Sequence, residues 1–337
     1  MEYPSLEFFR QVIHPEISRF SRRTIKTSAP PARVERVMLY LNGHRAANYR
    51  LIAKVISPGW QDDPQGEDRE RIFYQSVFPR LGFEHPRVHH VSIYPDTGQR
   101  LILMEDVSGR YRFPPPTHRW ELAEVFSFLR TYAYLHTRGQ ELLPALDDRD
   151  WLLAYHLQPL DCAGIEAAAR YLVRLGIWDP MPNLESLIRR TQDQLAVTYT
   201  DPATLIHNDL YPPNIGLPRD LAEPAVLVDW DMAAWGPAEL DLAYLFTQPF
   251  RSAEGLHRQT VLDYYWEQRL ALEGCIPSCD ERQCRQDFAD SVFALTELLV
   301  AEKVARNPFL PGSAPQIYWQ AMFPVLRQRL VELSERF

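Results

Sequence analysis

The stretch LIHNDLYPPNIGLPRDLAEPAVLVDWD, residues 205–231, sets His207, Asp209, Asn214 and Asp229 around two short apolar runs, Leu205-Ile206 and Val226-Leu227-Val228. Asp209 and Asn214 are five residues apart, and the turn between them carries Pro212 and Pro213. Two prolines make that turn a rigid loop rather than a helix. The apolar runs read as short strands that bring the carboxylates together. Amide and carboxylate oxygens are hard ligands suited to Mg²⁺, which keeps several waters and completes its shell with substrate phosphates. With Asn214 and Asp229 as metal ligands, Asp209 is left to position a hydroxyl and accept its proton.

Upstream, residues 5–20 carry apolar side chains at helical spacing. Residues 34–41 then read as a strand, Asn42-Gly43 as a hairpin turn and 47–57 as the return strand. Alternation puts Ile52, Lys54 and Ile56 on one face of that strand and Leu51, Ala53 and Val55 on the other. Lys54 is either an edge lysine that discourages aggregation or a lysine that reaches the phosphates of a nucleotide. The helical run EDRERIFYQSVFPRL that follows offers Glu70, with Glu67 as rival, as an acidic partner for it. Residues 88–94 and 100–104 form a further strand pair. They lead into Glu105-Asp106-Val107-Ser108-Gly109, a polar connector of the kind expected between two lobes.

Downstream, helical periodicity covers 120–137, 151–174 and 184–198, and everything beyond residue 236. His136 is expected to cap or satisfy a helix end, with no chemistry assigned to it. Cys275, Cys279 and Cys284 are spaced too loosely for a zinc site and read, with Cys162, as free thiols.

Taken together, these features resemble the aminoglycoside phosphotransferase and choline kinase superfamily. The resemblance rests on His207-Asn208-Asp209 with Asn214, on Val228-Asp229-Trp230-Asp231, and on Gly236-Pro237 leading to Asp241-Leu242-Ala243. It extends to the lysine strand at 50–57 and the hinge strand at 101–107. It implies an α+β, two-lobed protein-kinase-like fold, with a small antiparallel-sheet lobe over 1–107 and a mainly helical lobe over 108–337, hinged at about 105–109. It implies ATP, or GTP, as phosphoryl donor and Mg²⁺ as cofactor. Asp209 is then the catalytic base, and Asn214 and Asp229 hold the metal. Lys54, paired with Glu70, contacts phosphates, and backbone groups from Met104 through Glu105 to Val107 meet the purine. His207 braces the loop, and Asp241 caps a helix behind it. Asp231 is either a metal-facing carboxylate or solvated.

Three positions depart from the pattern without removing a ligand: Asn208 and Pro213 replace glycines, and Tyr211 a histidine. The larger departure is Thr27-Ser28-Ala29-Pro30-Pro31-Ala32, where a glycine-rich phosphate loop is expected. Prolines remove N–H donors, so Ser28 is the remaining candidate for phosphate contact. The alternative is a catalytically weak, pseudokinase-like binding module.

A formal net charge of −8 argues against nucleic-acid partners. The chain holds no run of about 18 apolar residues that would span a membrane, and its start is too charged for a signal peptide, so a cytoplasmic location is expected. The acceptor is a small molecule with a hydroxyl: an aminoglycoside, sugar, amino alcohol or other natural product. Acidic residues at Glu254, Asp263, Glu267, Asp280, Glu281, Asp287 and Asp290 suit a polycation, but arginines on the same helices make a solvated face the plainer reading. The aromatics Tyr264, Tyr265, Trp266, Tyr318 and Trp319 either stack on an acceptor or belong to the core.

Overall fold

The structure is a computed structural model that describes residues 4–27, 32–58, 66–82, 85–94, 96–115, 118–146, 152–154, 161–197, 204–247, 257–274, 276–306 and 314–336. Ser28 lies outside the described residues.

Ser5 caps a short helix, α1 (Leu6–Val12), by accepting the N–H of Phe8. The helix ends before Pro15 rather than running on to residue 20. Ile17 already belongs to β1 (Ile17–Thr27), a strand that helical spacing of the apolar residues had concealed. β1 pairs antiparallel with β2 (Ala32–Leu41), and β2 with β3 (Tyr49–Ile56). Their connection is a seven-residue loop over 42–48 and not a two-residue hairpin: Leu41 N donates to Asn48 Oδ1, and Gly43 takes φ 76°. β5 (Arg100–Glu105) lies on the other side of β3, with β4 (Val88–Ile93) outside it, giving a sheet of order β1-β2-β3-β5-β4.

The two faces of β3 are used as alternation dictates. Leu51, Ala53 and Val55 join Val37, Leu39, Leu101 and Leu103 in a cluster covered by Phe9 of α1. Ile52 and Ile56 face the other way, with Ile102 and Met104, onto the helix that follows. That helix comprises α2 (Gly66–Ile72), a π-helical turn (Phe73–Val77) and α3 (Phe78–Leu81), closed by Gly82 at φ 73°. One extra residue in the π turn directs both Phe73 and Tyr74 inward.

After β5, residues 107–109 form a 3₁₀ turn whose N-cap, Asp106, accepts the N–H of Ser108 and an ion pair from Arg36 at 2.6 Å. The remainder is mainly helical around α4 (Leu122–Leu142), which starts in a reciprocal bond of Glu121 and Glu124. α4 is the platform for the short strands. Thr131 Oγ1 donates to Ala225 O at 2.7 Å, and Gly139 lets β8 (Thr204–Ile206) lie against the helix. A methyl at Gly139 would stand 2.6 Å from Thr204 Oγ1 and 2.7 Å from Leu205 N.

The expected continuous helix over 151–174 is interrupted. Residues Leu153–Ala154 (β7) form a strand, and α5 (Cys162–Arg174) starts only at Asp161, whose carboxylate accepts the N–H of Gly164. The runs at 205–206 and 226–228 fall in different three-stranded sheets. β8 pairs with β11 (Ala234–Gly236), which also pairs with β7; β10 (Val226–Leu227) pairs with β9 (Ile215–Pro218), beside β6 (Tyr111–Arg112). α6 (Leu184–Val197), α7 (Glu239–Thr247), α8 (Arg258–Glu273), α9 (Cys279–Arg306) and α10 (Ala314–Arg336) complete the helical part. Among the described residues, no helix is long and apolar enough to cross a membrane, and no cluster of three or more His, Cys, Asp or Glu suits a metal. Cys275 lies outside the described residues, and Cys162, Cys279 and Cys284 are not joined in disulfides.

Candidate active site

The loop after β8 is held from below by α7. Asp241, fully buried, accepts the backbone N–H groups of His207 and Asn208, each at 2.9 Å. It therefore does not cap a helix as expected: its acceptors face the loop, because it sits inside the first turn of α7. The third contact to Asp241 is His136 Nε2 at 3.1 Å, while His136 Nδ1 meets Tyr265 OH at 2.7 Å. His136 thus lies within α4 rather than at its end. Burial holds its pKa below the ordinary histidine value, against the pull of Asp241.

His207 is buried in the same way, and burial likewise lowers its pKa. Its Nδ1 accepts the N–H of Asp209 at 3.3 Å, so Nε2 carries the proton and donates to Val228 O at 3.0 Å. Its ring lies 4.4 Å from that of Trp230. The imidazole thereby links the loop at 207–214 to the segment at 228–231, and Val228 N closes the link by donating to Asn214 O at 3.0 Å.

Asn208 adopts φ 64° and donates through Nδ2 to Met232 O at 3.2 Å. The left-handed region suits glycine first and asparagine next, which explains why asparagine serves where the resemblance expects glycine. Asp229 also sits at positive φ, 72°.

Asn214 Nδ2 donates to Asp209 O and to Asp209 Oδ2, both at 2.8 Å. With its donors spent on Asp209, Asn214 offers Oδ1 as its remaining polar atom. The other Asp209 oxygen, Oδ1, accepts from Tyr244 OH at 3.4 Å. Tyr244 projects from α7 one turn beyond Asp241 and packs edge-on against Phe293 of α9, 4.5 Å between ring centres. Tyr244 was not singled out in the sequence; a signal was present in its i+3 spacing from Asp241, which puts both on one face of α7.

Lys54 Nζ donates to Glu70 Oε2 at 2.7 Å and to Asp229 Oδ1. One ammonium thus joins β3, α2 and the segment after β10. Burial alone would lower the Lys54 pKa; Asp229 and then Glu70 outweigh it and hold the pKa well above its ordinary value. For Glu70 burial dominates over Lys54 and pushes the carboxyl up to about 7. Neighbours reinforce the junction. Burial holds the pKa of the Tyr74 hydroxyl well above its ordinary value, and the nearby Glu70 carboxylate pushes it the same way. Phe73 stacks on Trp230 with ring centres 4.1 Å apart. Arg69 donates to the carbonyl of Asp231 at 2.9 Å.

At the connector, Met104 and Val107 are buried and Glu105 is half-buried. Glu105 N donates to Arg87 O at 2.8 Å and Asp106 N to Arg50 O at 2.9 Å, so these two N–H groups are used within the sheet. Asp209, Asn214, Asp229, Lys54 and Glu70 therefore form one connected set, and the connector lies at the end of the strand paired with β3.

The acidic residues of the later helices are engaged otherwise. Asp287 pairs with Arg258 and Arg336, each at 2.7 Å, and Asp290 with Arg258 and Arg329. Asp263 faces Arg282 and Glu281 faces Arg285. Tyr265 and Trp266 are core residues, and Tyr264 stacks on Phe126.

The chain matches the family described as the phosphotransferase enzyme family over residues 35–275. No curated relative matches it. Among solved structures it resembles a candidate aminoglycoside phosphotransferase from Ralstonia eutropha, with a TM-score of 0.63 at 15% identity over 98% of this chain and 97% of that one. It also resembles a spectinomycin phosphotransferase, with a TM-score of 0.56 at 13% identity over 98% and 96% of the two chains. A third likeness is to a Plasmodium vivax ethanolamine kinase, with a TM-score of 0.56 at 11% identity over 95% and 87%. At these identities the three establish a shared kinase-like fold, small antiparallel sheet first and helical part after. The family match spans most of the chain, from β2 through α8 and across every residue of the site just described: this chain belongs to the phosphotransferase enzyme family.

Proposed function

We propose that the protein moves the γ-phosphoryl group of ATP or GTP onto a hydroxyl of a small molecule. The observation that carries this reading is the Lys54 ammonium shared between Glu70 and Asp229, with Asn214 tying Asp209 to the same segment. The division into residues 1–107 and 108–337, hinged at 105–109, belongs to this proposal. So do the roles that follow.

The donor set fits a divalent metal. Asn214 Oδ1 and the Asp229 carboxylate are hard oxygens, and two such ligands are what Mg²⁺ takes when nucleotide phosphates supply more. When bound, the metal would neutralise charge on the phosphates. Lys54 meets the same phosphates from β3, held in place by Glu70. The purine edge lies against the backbone from Met104 through Glu105 to Val107. Asp209, its carboxylate fixed by Asn214, orients the acceptor hydroxyl and takes its proton as the new O–P bond forms and the bond to the departing nucleoside diphosphate breaks. Catalysis then rests on position and charge rather than on a covalent intermediate.

Spectinomycin phosphotransferase and ethanolamine kinase mark the range of acceptors for the fold. The arginine pairing of Asp263, Glu281, Asp287 and Asp290 favours, among the described residues, an acceptor that carries little positive charge. The test is Asp209→Asn. Nucleotide-dependent turnover against a panel of alcohols, sugars and aminoglycosides should drop roughly 10²–10⁴-fold, while Mg-nucleotide still raises the melting temperature. Turnover at the wild-type rate in that variant would overturn the assignment.

A further inference from the structure

The loop that carries Asp209 hangs from Asp241, and Asp241 is held in turn by a chain of buried side chains. Its three partners are the backbone N–H groups of His207 and Asn208 and the Nε2 atom of His136. Among the described residues it has no lysine or arginine partner. A buried carboxylate without a cation depends on its hydrogen bonds. The positive charge that reaches it through hydrogen bonds is Arg269 of α8, three bonds away by way of Tyr265 and His136. All four residues are at most 3% exposed.

The direction of this chain follows from counting donors. A guanidinium only donates, so Arg269 Nη1 gives a hydrogen to the Tyr265 oxygen at 3.1 Å. Among the described residues, the Tyr265 hydrogen then has one acceptor, His136 Nδ1 at 2.7 Å. Nδ1 is thereby unprotonated, and Nε2 carries the hydrogen that goes to Asp241 Oδ2 at 3.1 Å. A hydrogen on Nδ1 would leave the buried Tyr265 hydroxyl without an acceptor, and burial disfavours the doubly protonated ring. Arg269 is fixed in its turn by α4. Its Nη2 donates to Gln140 Oε1 at 3.0 Å and pairs with Glu273, which also accepts from Thr137 Oγ1 at 2.8 Å.

We infer that Tyr265 and Arg269 are positioning residues for Asp209, and that they act through the tautomer of His136. With Nε2 set as a donor, His136 holds the Asp241 carboxylate in the orientation that receives both loop N–H groups. Hydrogen bonds aligned head to tail polarise one another, so the charge of Arg269 bears on Asp241 without an ion pair. The tautomer rests on the geometry of this chain of bonds; its effect on turnover rests on the phosphotransferase reading above.

The experiment reads the full chain in two ways. Nitrogen-15 NMR of histidine-labelled protein, with the His136 signals assigned by their loss in His136→Gln, should show Nδ1 unprotonated and Nε2 protonated. Tyr265→Phe, which keeps the ring and removes the hydroxyl, should abolish that single-tautomer signature. Turnover of Mg-ATP is then measured with the acceptor found by the panel, or with water where no panel member reacts. In Tyr265→Phe kcat should fall about three- to tenfold, while KM for ATP stays within about twofold, since Lys54, Glu70 and Asp229 lie outside the chain of bonds. Arg269→Met should lower kcat in the same way, and Arg269→Lys, which keeps a charged donor, should recover most of it. Thermal melting of each variant separates a folding defect from a loss of alignment. A protonated Nδ1 in the wild-type chain, wild-type kcat in Tyr265→Phe, or a loss confined to KM would each overturn the proposal. A wild-type chain with the expected NMR signature but no turnover would instead overturn the phosphotransferase reading, and the positioning role with it.

Discussion

Asp241 receives the Asn208 N–H at 2.9 Å while Asn208 holds φ 64°, so a helix carboxylate and a left-handed residue together set the course of the loop that carries Asp209. The bond fixes where the peptide between His207 and Asn208 points. The dihedral turns the chain so that Asp209 comes back toward Asn214. Neither works alone: an extended residue at 208 would carry the backbone away from Asp241, and an unanchored left-handed residue would relax.

Substitution at 208 should therefore follow backbone preference more than side-chain chemistry. Asn208→Gly loses the bond to Met232 O but keeps the dihedral, and should cost less than about 1 kcal/mol of unfolding free energy. Asn208→Val forces a β-branched residue into the left-handed region and should cost about 2 kcal/mol or more. Urea unfolding of both variants checks the order. Equal losses would mean that the dihedral is not the constraint.

Much of the site could be read from residue types and spacing because its chemistry is local. Asp209 and Asn214 are joined by a proline-stiffened turn, and the alternation of β3 places Lys54 opposite Leu51 and Val55 without tertiary information. Glu70, the partner expected for Lys54, accepts from its ammonium at 2.7 Å. What stayed hidden depends on contacts between distant segments. The face that Asp241 turns to the loop is set by how α7 lies beneath β8. The π turn at 73–77 depends on packing against Trp230, and no local propensity announces it. The strand at 17–27 has apolar residues that also fit a helix, and its partner β2 decides the matter. The division of 205–206 and 226–228 between two sheets depends on β9 and β11, each too short to register as a run.

The two buried histidines give stability a pH dependence whose sign is set by their neutrality. Burial holds His207 below its ordinary pKa in the folded chain. Below about pH 6.5 the unfolded chain takes up a proton that the folded one refuses, so the stabilisation is present above that pH and is lost as pH falls. His136 acts in the same sense. Glu70 runs the other way: its carboxyl rises from 4.5 to about 7, so its contribution falls as pH rises across that window. Comparison with a variant isolates one group. The stability difference between wild type and His207→Gln should shrink as pH falls below about 6.5, with a slope of at most about 1.4 kcal/mol per pH unit. Denaturant titrations from pH 7.5 to pH 5 measure it, within limits of roughly 1 unit either side of the histidine range. A constant difference would mean that His207 takes up a proton as readily in the fold as in the unfolded chain.

Tyr244 offers the most direct test of how Asp209 is set up for its proposed work. Its hydroxyl donates to Asp209 Oδ1 at 3.4 Å while Asn214 occupies Oδ2, so each carboxylate oxygen has a donor. A donor to a carboxylate favours the ionised form, which is the form a proton acceptor needs. Tyr244→Phe keeps the ring against Phe293 and removes only the hydroxyl. One weak neutral donor corresponds to about 0.5–1.5 kcal/mol, so turnover should fall roughly two- to tenfold. The acid limb of the rate profile should move to higher pH, because Asp209 then takes a proton more readily. Nucleotide affinity should stay close to wild type, since Lys54, Glu70 and Asp229 are untouched. The measurement is nucleotide turnover against pH, with the acceptor found by the panel or with water as acceptor. Superimposable profiles for the two proteins would show that Tyr244 packs against Phe293 without acting on Asp209.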